Sequence, residues 1–327
     1  MSNTLQNLGE GVAVLISGSL QLVNGNYVPF SVGTAQSELD FCSSERFSEQ
    51  EVIPTAFCSG FLLSKNPPLL ATAAHCVSDG TSNTTVVFRY ELFDNDGTNL
   101  VYDDSDVYTI SQVITEGTPD GRENDYALVR LDRAVTGRDA YDSATSNVDV
   151  GDSTIMIGHP TGLPKKYDSG GAITAIQSNG ALLRATVDAY GGNSGSPVFN
   201  NDRDLIGILV AGGTDFNDAS GCRTSNFCPG GLDCDANGEY IVPICTLLNR
   251  SEVQSVLDLQ CDDNNSNSNN SNSNNSNSNS SSSNSSNDSS NSNSNNSNSN
   301  NSSNDSSSSS VLISSLAVVL CIVFFLF

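Results

Sequence analysis

Short alternating or β-branched runs, separated by turn residues, recur through residues 1–261. Alternate side chains of a strand point to opposite faces, and β-branched residues fit a pleated surface, so this pattern predicts an all-β chain. Val12–Ile16 with the Asn24-Gly25 turn predicts an opening hairpin. Leu69–Ala74, Thr85–Leu92, Val107–Ile114 and Tyr126–Leu131 read as a first group of strands. Thr154–Ile157, Ala172–Ile176, Leu182–Val187, Pro197–Asn200 and Leu205–Ala211 read as a second. One segment departs from the strand period. Ser251–Leu257 opens on a capping residue and has helical spacing, which predicts a short helix near the end of the globular part.

Past residue 261 the pattern collapses. Residues 264–310 hold only Asn, Ser and the two aspartates Asp288 and Asp305. With nothing apolar to bury, the stretch 262–310 cannot offset its ordering entropy and is expected to be a disordered stalk. Residues 311–327 are apolar or small and uncharged. A polar spacer followed by such a run matches a GPI-attachment signal, with cleavage somewhere in 297–304. A single-span tail anchor is the rival, and at roughly 25 Å it would be slightly short for a bilayer. Met1–Glu10 has no basic segment and Val12–Ile16 is too short for a signal peptide, so either a true start lies upstream of Met1 or export is unconventional, and the cysteines and tail favour the former. Sequons at Asn83, Asn249 and throughout the stalk from Asn264 fit an exported glycoprotein at the outer face of the cell membrane, or secreted.

Charge and cysteine content sharpen this. The net charge is −24, and only Asp262, Asp263, Asp288 and Asp305 of the 37 acids lie after residue 261. A field of that sign repels nucleic acid and favours cationic partners, although solubility alone would account for it. Eight cysteines precede the tail: Cys42, Cys58, Cys76, Cys222, Cys228, Cys234, Cys245 and Cys261. The even count predicts disulfides and an oxidising compartment. Zinc at Cys222–Cys245 is disfavoured, because no C-x₂-C pair or nearby histidine accompanies it. Asp94-Asn95-Asp96-Gly97 resembles a calcium loop only superficially, and a solvated turn is expected there. No metal or other cofactor is expected, and the chain is read as a monomer.

Three short segments carry chemistry: Ala71-Thr72-Ala73-Ala74-His75-Cys76, Asn124-Asp125-Tyr126-Ala127-Leu128 and Tyr190-Gly191-Gly192-Asn193-Ser194-Gly195-Ser196-Pro197. A serine hydroxyl needs an adjacent imidazole to take its proton. The imidazole needs a carboxylate to fix its tautomer, so His75, Asp125 and Ser194 form a candidate base, orienter and nucleophile. Glycines before Ser194 would let N–H groups turn toward a developing oxyanion.

These segments resemble the chymotrypsin-like serine endopeptidases, and within them the branch of trypsin-like bacterial enzymes and glutamyl endopeptidases, over roughly residues 40–260. The resemblance implies two packed six-stranded antiparallel β-barrels, about 10–135 and 136–261, with a short C-terminal helix. It implies protein or peptide substrates, an oxyanion hole from the N–H groups of Gly192 and Ser194, and a disulfide between Cys58 and Cys76. Asn193 stands where digestive trypsins carry an acid that pairs with a new N-terminus, which puts that mode of activation in doubt. Asp188 falls at the primary-pocket floor of trypsin-like enzymes, implying cleavage after Arg or Lys; hydrogen bonding to backbone is its alternative role. The histidine used by glutamyl enzymes is absent from Leu209-Val210-Ala211-Gly212. Val210 and Gly212 are expected to pair with the substrate backbone as an added strand, beside an open subsite at Ala211. His159 is read as structural. The expected function is therefore a serine endopeptidase. The alternative is a weak or inactive surface adhesion or binding protein on the same fold. An esterase of the α/β-hydrolase type would need the order Ser, Asp, His.

Overall fold

The computed structural model describes residues 3–93, 97–118, 121–219, 221–226 and 238–262. The calcium-like segment Asp94–Asp96, the cysteines Cys228 and Cys234, the stalk beyond Asp262 and the terminal run 311–327 lie outside the described residues. Twelve strands build two closed antiparallel barrels. The first contains β1 (Val12–Ser17), β2 (Ala56–Lys65), β3 (Pro68–Thr72), β4 (Thr84–Phe88), β5 (Val107–Glu116) and β6 (Ala127–Leu131). The second contains β7 (Ser153–Gly158), β8 (Lys166–Gln177), β9 (Leu182–Ala185), β10 (Pro197–Phe199), β11 (Leu205–Ala211) and β12 (Glu239–Pro243). Hydrogen-bonded order round the first barrel is β1-β2-β3-β6-β5-β4, and round the second it is β7-β8-β9-β12-β11-β10. The two barrels have one topology.

Closure explains why the strands alternate so weakly. In β1, Val14 pairs with Ser59 on one side and Val87 on the other. Leu15 joins the main core with Phe61 and Leu69. Val14 and Ile16 face the other way, against Ile53, Tyr90 and Tyr102. Both faces are covered, so the strand is apolar from Val12 to Ile16. The main core runs from one barrel into the other. Tyr141, in the connection between them, places its ring 5.9 Å from Phe61 and 5.0 Å from Phe199, within the range of favourable aromatic pairs.

Several expected elements shift. The Asn24-Gly25 turn does not return β1 on itself; it joins two outlying strands, Gln21–Val23 and Asn26–Val28. Both turn residues have positive φ, +52° and +83°, the geometry that Asn-Gly supports, while β1 finds its partners 40 or more residues away. The strand expected over Leu69–Ala74 ends at Thr72, and Ala74–Cys76 forms a 3₁₀ turn. The C-terminal helix shrinks to Ser251–Gln254 with Arg250, not Ser251, at its N-cap, and a second helix, Ile244–Leu248, precedes it. Disulfides join Cys42 to Cys222, Cys58 to Cys76 and Cys245 to Cys261.

Candidate active site

His75 sits in the 3₁₀ turn that follows β3, and Asp125 lies two residues before β6, its hydrogen-bonded neighbour. That strand pairing brings the two together. The Asp125 carboxylate accepts from the His75 backbone N–H at 3.0 Å and lies 2.7 Å from Nδ1 of the same ring. An ionised carboxylate only accepts, so Nδ1 carries the proton and Nε2 is left with a lone pair. The Asp125 side chain is 7% exposed and that of His75 37%, so the ring has a buried anchor and an open edge. The Cys58–Cys76 disulfide ties the same turn to β2. Cys58, His75 and Cys76 bring donor atoms within 4.8 Å of one another, but the two sulfurs are bonded together and offer no thiolate to a metal.

Ser194 follows β9 and precedes β10, in a turn pinned at nearly every peptide. Gly191 O accepts from Thr161 N–H at 2.6 Å, Asn193 N–H donates to Tyr190 O at 3.0 Å, and Asn193 O accepts from Ser196 N–H at 2.9 Å. Gly192 O accepts from the Ser59 hydroxyl at 2.9 Å. Ser194 O accepts from Ser59 N–H at 2.8 Å, and Gly195 N–H donates to Leu209 O at 2.7 Å. A peptide unit is planar and trans, so anchoring its C=O one way aims its N–H the other way. The N–H groups of Gly192 and Ser194 have no hydrogen-bond partner among the described residues. Two glycines make the turn possible. At Gly192 (φ +92°) a Cβ would meet His159 O and Thr161 N, and at Gly195 (φ +88°) it would collide with Ser59 O and the Thr72 hydroxyl. Ser194 O also lies 3.7 Å from Cys76 Sγ, which places the turn against the histidine segment. No hydrogen bond joins the Ser194 hydroxyl to His75 among the described residues.

The remaining sequence candidates separate. Asp188 is exposed and already engaged within the chain, its carboxylate accepting from Arg46 at 2.6 Å. Arg46 also donates to the Tyr190 hydroxyl at 3.1 Å, and the neighbouring Glu45 accepts from Ser225. Val210 is buried at the bulge where β11 shifts register against β12, and Gly212 follows it in the open. A Cβ at Gly212 would run into both carboxylate oxygens of Glu239. Burial first, then the charges of Asp215 and Asp188, push the Glu239 carboxyl up to about 8, against the opposing Gly213 N–H. His159 is 1% exposed and stacks on Tyr90, centroids 5.6 Å apart; burial and Lys165 hold its ring well below the usual histidine range.

A family model described as the trypsin-like peptidase domain matches residues 58–208, a span that contains His75, Asp125 and Ser194. Over that span, just under half of its length, the chain is similar to trypsin-like peptidases. The chain is also similar to a glutamyl endopeptidase of Bacillus licheniformis, 29% identical over 148 residues. That similarity covers 43% of this chain and 45% of the relative, so the chain spans under half the length of that protein. Among solved structures, the HtrA-type protease AlgW with a decapeptide is similar at TM-score 0.46 and 18% identity, covering 78% of this chain and 66% of that one. The MamO protease domain from Magnetospirillum magneticum follows at TM-score 0.43 and 16% identity, covering 75% and 97%. Ser59, Thr161, Arg46 and Glu239 all border the site, yet none stands out in the sequence. Their places depend on contacts that exist only after the two barrels close.

Proposed function

We propose that the chain is a serine endopeptidase in which Ser194 attacks the scissile carbonyl, His75 takes the serine proton and Asp125 orients the histidine. The observation that carries this reading is the pinned turn at 190–195. Its carbonyls from Tyr190 to Ser194 are engaged with neighbours, and the N–H groups of Gly192 and Ser194, without a partner among the described residues, flank the serine as an oxyanion hole requires. The His75–Asp125 pair supplies a base in the correct tautomer beside that turn. Catalytic serine–histidine bonds commonly tighten only with substrate bound.

A preference for Arg or Lys before the scissile bond is the finer part of the proposal. Its support is the acidic pair of Asp215 and Glu239, with Glu239 against Gly212 at the end of the expected substrate-pairing strand, where an arriving cation would favour loss of the proton that burial keeps on Glu239. Attachment to the outer cell surface through residues 311–327 belongs to the same proposal, and release by a phosphatidylinositol-specific phospholipase tests it.

A fluorophosphonate probe tests the chemistry directly. The expected result is a single labelled site at Ser194, lost in His75→Ala. Folded protein that resists the probe and cleaves no peptide in a mixed library overturns the reading and leaves a binding protein on this fold.

A further inference from the structure

We infer that Ser59 is a positioning residue for the oxyanion hole, holding the nucleophile turn in its working shape from the opposite barrel. The inference rests on the serine-endopeptidase reading above. Ser59 lies in β2, is fully buried, and uses every polar group it has. Its N–H donates to Ser194 O at 2.8 Å. Its hydroxyl donates to Gly192 O at 2.9 Å. The same hydroxyl oxygen accepts from His159 N–H at 3.0 Å, and the Ser59 carbonyl accepts from the Thr72 hydroxyl at 2.7 Å.

One residue of the first barrel therefore grips the second barrel's turn on both sides of Asn193. Gly192 is the weak point of that turn, because glycine rotates through positive and negative φ with little steric resistance. Its N–H is held from one side by Thr161, through the Gly191 carbonyl. Its C=O is held from outside the turn by the Ser59 hydroxyl alone among the described residues, while within the turn the same peptide is held by the Asn193 N–H on Tyr190 O. Without that hydroxyl, Gly192 O and His159 N–H both lose a buried partner, and the cheapest relief is rotation of the peptides around Gly192. Rotation would take the Gly192 N–H off the line of the oxyanion, where small misplacements are costly to rate. The hydroxyl touches neither substrate nor reacting atoms in this scheme; it acts through Gly192.

The experiment compares Ser59→Ala, Ser59→Thr and Thr72→Val in the full chain. Each concentration of competent enzyme is set by fluorophosphonate titration. Ser59→Ala is expected to lower kcat by about ten- to a hundredfold with KM nearly unchanged, and to weaken a peptide boronate in proportion. Ser59→Thr keeps the hydroxyl and is expected to restore most of kcat. Thr72→Val removes a hydroxyl from the same buried network without touching Gly192, and is expected to lower thermal stability while sparing kcat. A folded Ser59→Ala protein with parental kcat overturns the inference, as does a folded Ser59→Thr protein that has lost it. Failure of the parent chain to react at Ser194 would instead sink the endopeptidase reading itself, so the two failures are distinct.

Discussion

At the scale of single residues, the site divides into groups that would do chemistry and groups that hold them. Ser194→Ala deletes one hydroxyl beside the cleft and breaks no hydrogen bond among the described contacts. It should cost several orders of magnitude in turnover without unfolding the protein, leaving a residual rate from the oxyanion hole. Peptide hydrolysis by a folded mutant at the parental rate would sink the assignment. Glu239 gives a second residue-scale expectation. Its carboxyl titrates near 8 in the folded chain against an ordinary value of 4.5. The folded state therefore prefers the neutral acid, and that stabilisation, complete below 4.5, is lost as pH rises toward 8. Asp188 and Asp215 face it, and no basic side chain pairs with it among the described residues. Glu239→Gln should flatten the decline in melting temperature between those limits, measured against the parent over the same pH range. The same variant should lose any preference for Arg and Lys in a peptide-library profile. Asp188→Ser would affect specificity less, since Arg46 already occupies that carboxylate.

At the scale of elements, legibility followed locality. Strand β11 has the bounds that its run Leu205–Ala211 predicts, because a buried β-branched run between polar turns has one good reading. The Asn24-Gly25 turn was legible as a turn, yet its partner strands were not, since pairing depends on what closes the barrel. Strand β12 and the helix Ile244–Leu248 were missed: EYIVP and ICTLL are too short for a period to declare itself. The three motif segments that supply His75, Asp125 and Ser194 could be read because each is local. Ser59 could not, because its role lies in reaching a turn 133 residues away. The Cys58–Cys76 link belongs to this scale as well. It fastens the histidine turn to β2, and removing it by Cys58→Ala with Cys76→Ala should cost about 2–4 kcal/mol. Chemical denaturation against the parent measures this, and an unchanged midpoint would show the turn is held by packing alone.

At the scale of the whole molecule, two barrels of one topology share a core and present the candidate site where their loops meet. Neither barrel carries the site alone: His75 and Asp125 come from the first and Ser194 from the second. Acids outnumber bases 37 to 13 along the chain, a balance that acts on charged substrates at a distance. Association of basic peptides should therefore quicken at low ionic strength and slow as salt screens the field over about 10 Å at 0.1 M, whereas neutral peptides should respond little. Stopped-flow measurement of kcat/KM against salt separates the two. The Cys42–Cys222 disulfide adds a consequence of its own. It closes a covalent ring that takes in most of both barrels, from residue 42 to residue 222. A single backbone nick anywhere within that ring, including one the protein makes in itself, would release no fragment. The broken chain would run as one species until a reductant opened the ring, so integrity judged without reduction would overstate how much of the protein is still in one piece.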